Sequence, residues 1–144
     1  MLVKTVHVRP SHPMSGWQEL KDALKGASMA AALVDSTVDW RTFMGVARVI
    51  ALSNVRVIAA YGERGEELHD LVDLIALSER ATAPITTWES DGLDVFMSNV
   101  TFTYRGLLDI ADQVRQTTVC YVSERESVPE DLSMAIDRMR ARQL

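Results

Sequence analysis

Met29-Ala30-Ala31-Ala32-Leu33-Val34 is a run of six apolar residues, closed by Asp35 and Ser36. An uninterrupted apolar run this short reads as a strand covered on both faces, as in a parallel sheet. Residues 55–60, Val55-Arg56-Val57-Ile58-Ala59-Ala60, make a second such strand rich in β-branched side chains. Between the two, Asp39 can cap a helix over residues 40–53, with Asn54 as its stop.

The same alternation extends in both directions. Upstream, residues 3–8 read as a strand with Val6 and Val8 on one face. Ser15 and Gln18 then form a capping-box pattern. Trp17, Leu20 and Leu24 follow at helical spacing, and Gly26 can end that helix. Downstream, residues 62–65 are a turn and residues 66–80 a helix, with Leu68, Leu71, Val72 and Ile75 facing inward. Its acidic start and basic end complement the helix dipole. Pro84 precedes a short strand over residues 85–88, and Asp91 can cap a helix over residues 92–99. Residues 100–104 alternate like a strand but sit between helical stretches, while residues 106–115 return to helical spacing. Residues 117–122 are a fifth strand. Ser127 and Glu130 make a second capping box around Pro129, opening a helix that buries Leu132, Ala135, Ile136 and Met139.

About 20 to 28 residues separate consecutive strands, enough for a helix each time. Parallel crossovers need that length, whereas hairpins take about two to five residues. The expected fold is α/β: a three-layer sandwich on a mostly parallel sheet of about five strands, flavodoxin- or Rossmann-like. With 144 residues the chain suits one domain. Its 47% hydrophobic and 24% charged composition is ordinary for a globular protein.

Net charge is −5, with 15 basic residues scattered along the chain, so broad nucleic-acid binding is not expected. An acidic surface suits solubility or a basic protein partner. One cysteine, Cys120, permits no intramolecular disulfide and lies within an apolar strand, where it should be buried and inert. No apolar run is long enough for a transmembrane segment, and the first nine residues lack a signal core, so a cytoplasmic location is the expectation.

Ligands of open parallel sheets bind beyond the carboxyl ends of the strands. Here those positions are Arg9, Ser11 and His12, then Asp35 and Ser36, and Tyr61, Gly62, Glu63 and Arg64. Trp88, Glu89 and Ser90, and finally Ser123, Glu124 and Arg125, complete the rim. Ordinary loop polarity explains such a rim equally well. Glu66, His69 and Asp73 share a helix face, with Asp70 beside them. A histidine among carboxylates can activate a water or hold a divalent ion, although the spacing also suits a plain solvated face. Trp17 fits the core and Trp40 can pack under a loop. Trp88, at a strand end, can stack on a ligand or anchor a partner as well as simply pack.

Neither common phosphate cradle is present, nor His-Glu-x-x-His, Cys-x-x-Cys or Gly-x-Ser-x-Gly. No cofactor and no resident metal are expected. The strand leading into Tyr61-Gly62, then His69-Asp70 with Asp73, then Thr86-Thr87-Trp88 with Leu93, resembles a family of small bacterial α/β domains of unknown function. The motifs cover roughly a third of the chain, from Val55 to about Val100. In that family a Trp often stands where this chain has Tyr61, and a His where it has Glu89. The second departure weakens a catalytic reading. The resemblance implies a bacterial source, assigns no activity, and raises interest in His69, Asp70, Asp73 and Trp88.

Two functions remain in view. One is a non-enzymatic binding module docking another protein, with Trp88, Glu89, Tyr61, Glu63 and Arg64 as its contacts. Toxin immunity or an accessory role in a defence operon would suit its size and charge by analogy. The other is a hydrolase using His69 with Asp70 and Asp73. A weaker third is a small-ligand or nucleotide sensor built on Trp88 and the loop after strand three.

Overall fold

The computed structural model of the chain describes residues 2–11, 15–80, 82–90 and 92–142. Five strands form one sheet: β1 (Val3–Val8), β2 (Ala27–Val34), β3 (Val57–Tyr61), β4 (Ile85–Glu89) and β5 (Gln116–Val122). Their spatial order is β1-β5-β2-β3-β4, and each adjacent pair is parallel. The fold is thus the expected α/β three-layer sandwich of flavodoxin/Rossmann type.

The route of the chain sorts the helices. β1 to β4 advance in one direction across the sheet through α1 (Ser15–Leu24), α2 (Trp40–Ala51) and α3 (Gly65–Glu79). With right-handed crossovers, three steps in one direction put three helices on one face. Their core contains Leu20, Phe43, Val46, Leu68 and Val72, packed on Ala30, Ala32, Ile58 and Cys120. The return from β4 to β5 runs through α4 (Leu93–Ser98), a π-helix (Asn99–Tyr104), a 3₁₀ turn (Arg105–Leu107) and α5 (Ile110–Gln113). These, with α6 (Glu130–Ala141), cover the other face. That core holds Phe96, Val100, Leu132 and Ile136 against Met29, Ala31, Ala59 and Val119. Alternate residues of one strand thus feed two cores, and every residue of β2 is buried.

Small side chains bring the layers together. Trp17 packs into the helix-facing core, as its spacing suggests, with its ring end against Gly45 of α2; a Cβ there would lie 2.9 Å from Trp17 Cη2. Gly26 ends α1 with φ of +76°, a conformation that favours glycine. Cys120 is fully buried, and burial pushes its thiol up to about 12. Trp40 is not under a loop: it is half exposed and stacks on Phe43, one turn along α2.

Three local expectations need correction. Residues 100–104 are neither strand nor α-helix but lie in the π-helix, and the helix expected over residues 106–115 is only α5 and the 3₁₀ turn. The Ser127–Glu130 capping box does not form, since α6 starts after Pro129 with no side-chain cap. At α1, Gln18 donates to Asp22 at 2.8 Å; the side chain of Ser15, like His12 and Asp91, lies outside the described residues.

Ile58 is 1% exposed in the sheet's centre, so Ile58→Ala should destabilise the fold by about 2–4 kcal/mol through the cavity it leaves. A lower midpoint at unchanged slope in urea unfolding is the expected result; an unchanged midpoint would contradict this packing.

Candidate functional site

The carboxyl rim divides into a knot at the sheet's centre and a row along its β4 edge. The knot lies where neighbouring strands send their chains to opposite faces, β5 to α6 and β2 to α2. Such switch points open the crevices in which parallel sheets bind ligands. Here the crevice is spanned by the carboxylate of Asp35. Its Oδ2 accepts from Ser123 at 2.5 Å and Tyr121 at 3.1 Å. Its Oδ1 accepts from the Thr37 amide at 3.0 Å and from the Thr37 hydroxyl. Arg125 Nε stands 3.7 Å away, and the Glu124 amide donates to Thr37 Oγ1 at 2.9 Å.

Both oxygens of Asp35 are therefore used internally. Burial raises its pKa, but the hydrogen bonds from Ser123, Thr37 and Tyr121 outweigh that and hold it below the ordinary carboxylate value. Beside the knot, His7 packs on Tyr121 with ring centroids 5.0 Å apart. His7 Nε2 and Arg9 Nε are buried with no protein partner, atoms of the kind water or a ligand satisfies. The loop after β1 is tied down by the Ser11 amide, which donates to Glu124.

The second region contains the residues singled out from the sequence. His69, in the second turn of α3, has Nδ1 2.9 Å from Asp70 and Nε2 3.6 Å from Asp73. Asp73 in turn accepts from the Thr86 hydroxyl of β4 at 2.5 Å. Trp88 shares that face of β4, two residues on. Starting from the Asp73–Thr86 bond, four residues back along α3 cover about 6 Å and two residues on along β4 about 7 Å. Both steps run toward the carboxyl rim, so His69 and Trp88 lie level, although no aromatic contact involves Trp88 among the described residues. Nδ1 of His69 is within hydrogen-bond distance of Asp70, whereas Nε2, 3.6 Å from Asp73, is beyond it. Among the described residues no group of three or more His, Cys, Asp or Glu side chains could hold a metal ion.

The other candidates go elsewhere. Glu89 points to the opposite face, where it accepts from Asn99 Nδ2 at 3.1 and 3.2 Å and from the Tyr104 hydroxyl. Burial, reinforced by Glu89, pushes the Tyr104 phenol up to about 12. Tyr61 packs on Phe96, with centroids 4.8 Å apart. Arg64 turns inward: it donates to the Val38 carbonyl at 2.6 Å and lies 3.9 Å above the Phe43 ring. Glu63 is exposed. The eight candidates are thus dispersed: His69, Asp70, Asp73 and Trp88 belong to the outer edge, while Glu63 is exposed in the turn between β3 and α3.

Sequence reasoning put Asp35 and Ser123 on the rim without pairing them, and missed Thr86, Asn99 and Tyr104 as partners. The Asn99–Tyr104 spacing of five is the one local signal, since it aligns in a π-helix and not in an α-helix. Comparison with known proteins found no matching family model, no similar curated protein and no similar solved structure. The resemblance carried by His69-Asp70 and Thr86-Thr87-Trp88 therefore rests on those residues alone.

The knot makes stability depend on acid. Asp35 has a lowered pKa in the folded state, so its contribution is present above the unfolded value of about 3.9. It is lost as pH falls through the lower folded value. In Asp35→Asn, urea midpoints should fall at neutral pH and change less between pH about 5 and about 2 than in the wild type. An acid limb identical in both proteins would remove Asp35 from that role.

Proposed function

We propose that this chain is a non-enzymatic interaction module that docks a basic protein along the β4 edge and the outer side of α3. The observation that carries the proposal is the state of β4. It lies at the end of the sheet, bonded to β3 on one side, with Ile85 46% and Trp88 41% exposed. An open strand offers backbone hydrogen bonds, and its alternate side chains offer anchors, which is how strand addition recognises an extended segment. Tryptophan is the side chain most enriched among binding hot spots.

Charge supports a basic partner. Between Tyr61 and Arg80 there are six acidic residues against two arginines, and Arg64 is turned into the fold. Glu63, Glu66, Glu67 and Asp70 are all exposed, and Glu66 lies on the side of α3 where Asp73 meets β4. The same charge disfavours a second copy, because pairing two β4 edges would bring two acidic rows together. An immunity protein that covers a basic toxin is one role of this kind, by analogy. For the hydrolase alternative, His69 and its two carboxylates come from one helix, an arrangement that a solvated ion-pair face explains equally well.

The test is capture from the source cell, identification of the partner, and titration of the purified pair. A basic protein should bind with an affinity that falls as salt rises. Trp88→Ala should weaken it by about 2 kcal/mol, or ~30-fold, at an unchanged melting temperature. A partner that binds Trp88→Ala and Asp70→Lys as tightly as the wild type, or a stable homodimer through β4, would overturn the reading.

A further inference from the structure

At the end of the sheet opposite the rim, the last turns of α1 and α2 and the start of β2 line an open cavity of about 550 Å³. That volume lies within the range of about 300–1,000 Å³ typical of small-molecule sites. Leu24, Val49 and Leu52 supply apolar walls. Lys21, Lys25, Arg48 and Arg115 surround them, and the lining contains no Asp or Glu. The chain as a whole has 20 acidic residues to 15 basic ones, so four cations at one cavity without an acid run against its overall balance.

Three of these cations carry a carboxylate that does not line the cavity. Lys25 is 3.5 Å from Asp22, Arg48 2.7 Å from Glu79, and Arg115 3.5 Å from Asp112. The Lys25–Asp22 pair is exposed and weak, and Arg115 stands at 3.5 Å from its partner, so both can meet an anion, whereas Arg48 is held by both oxygens of Glu79 at 2.7 and 2.9 Å and serves mainly as fixed positive charge. Lys21 has no such partner among the described residues. Complementing the helix dipole accounts for Lys21 and Arg48, each in the last turn of its helix. It accounts neither for Arg115, which comes from the segment before β5, nor for the volume these side chains surround.

The floor is held in place by its own bonds. The β2–β5 register slips between Ala27 and Met29, and the intervening Ser28 donates its hydroxyl to the Asp112 carbonyl at 2.7 Å. Gln116 Nε2 and Thr118 Oγ1 donate to the Ala23 carbonyl at 2.9 and 2.6 Å. Irregularities of this kind recur beside binding sites, where they re-aim a strand. The fold alone would not point here, because parallel sheets bind at the other end.

We propose that this cavity binds a small amphipathic anion: an apolar ring or short chain bearing one phosphate or carboxylate group. The charged group meets Lys21 and Arg115, and the apolar body rests on Leu24 and Val49. This site is independent of the β4 edge. Cationic walls around a low-dielectric floor focus field on the opening and attract anions to a protein whose net charge repels them.

Phenyl phosphate is the probe, followed by backbone amide shifts in the folded full chain. Saturable shifts should centre on Gly26, Ala27, Ser53 and Asn54. Inorganic phosphate and benzyl alcohol, each with half of the chemistry, should bind at least about tenfold more weakly. Lys21→Glu should weaken phenyl phosphate by about tenfold or more, Lys21→Arg should retain it, and Val49→Trp should block it by filling the cavity. Should Val49→Trp not fold, the Lys21 pair, on an exposed position, decides the matter. Equal binding of inorganic phosphate, shifts centred elsewhere, affinity unchanged in Lys21→Glu, or no shifts up to about 10 mM probe would each overturn the proposal.

Discussion

Strand β5 bonds along both of its edges, to β1 on one side and to β2 on the other, and the sheet depends on those two ladders. Among the described residues β1 has no other strand neighbour, so without β5 the strand Val3–Val8 has nothing in the sheet to pair with. Yet β5 is the last strand in sequence and inserts between the first two. Its pairings therefore close loops of more than a hundred and of roughly ninety residues, contacts whose closure entropy must be met before they stabilise anything. The Asp35 knot sits at the upper end of this seam. Asp35 donates its amide to the Val122 carbonyl and accepts from Tyr121 and Ser123, while the Ser123 amide bonds to Val8. Three strand ends that are distant in sequence are joined by one carboxylate and two backbone bonds.

That arrangement explains why the switch-point crevice is a poor place for Asp35 to meet a ligand. A carboxylate that accepts four hydrogen bonds has little acceptor capacity left. What the crevice retains are the buried nitrogens of His7 and Arg9. The chemistry exposed on the molecule lies instead at its margins. The β4 edge is acidic and aromatic, and the opposite end is cationic around an apolar floor. A net charge of −5 averages two surfaces of opposite character, so it describes neither.

The fold was legible because burial on both faces of a strand leaves a local mark. β2 and β3 are short apolar runs, and the gaps between strands are long enough for helices. Strand order leaves no such mark: nothing between residues 116 and 122 says that this segment separates β1 from β2. The helix at α2 was legible through Asp39, whose carboxylate accepts from the Thr42 amide at 2.8 Å. The second capping box was misleading because its pattern needs Ser127 as the N-cap, and the N-cap is instead Pro129, two residues later.

The candidate site was legible only as far as spacing reaches. His69, Asp70 and Asp73 stand together because one helix carries them, whatever the rest of the fold does. The Thr86 hydroxyl that fixes Asp73 comes from another strand, and no local rule announces it. Glu89 shows the same limit more sharply. Strand alternation places it on the face opposite Trp88, and there Asn99 and Tyr104 close on its carboxylate from a π-helix. An α-helical turn would put residues five apart on different sides; widening the turn brings both onto one acceptor. The residue that read as a binding contact is thus the one that holds the return crossover against the sheet.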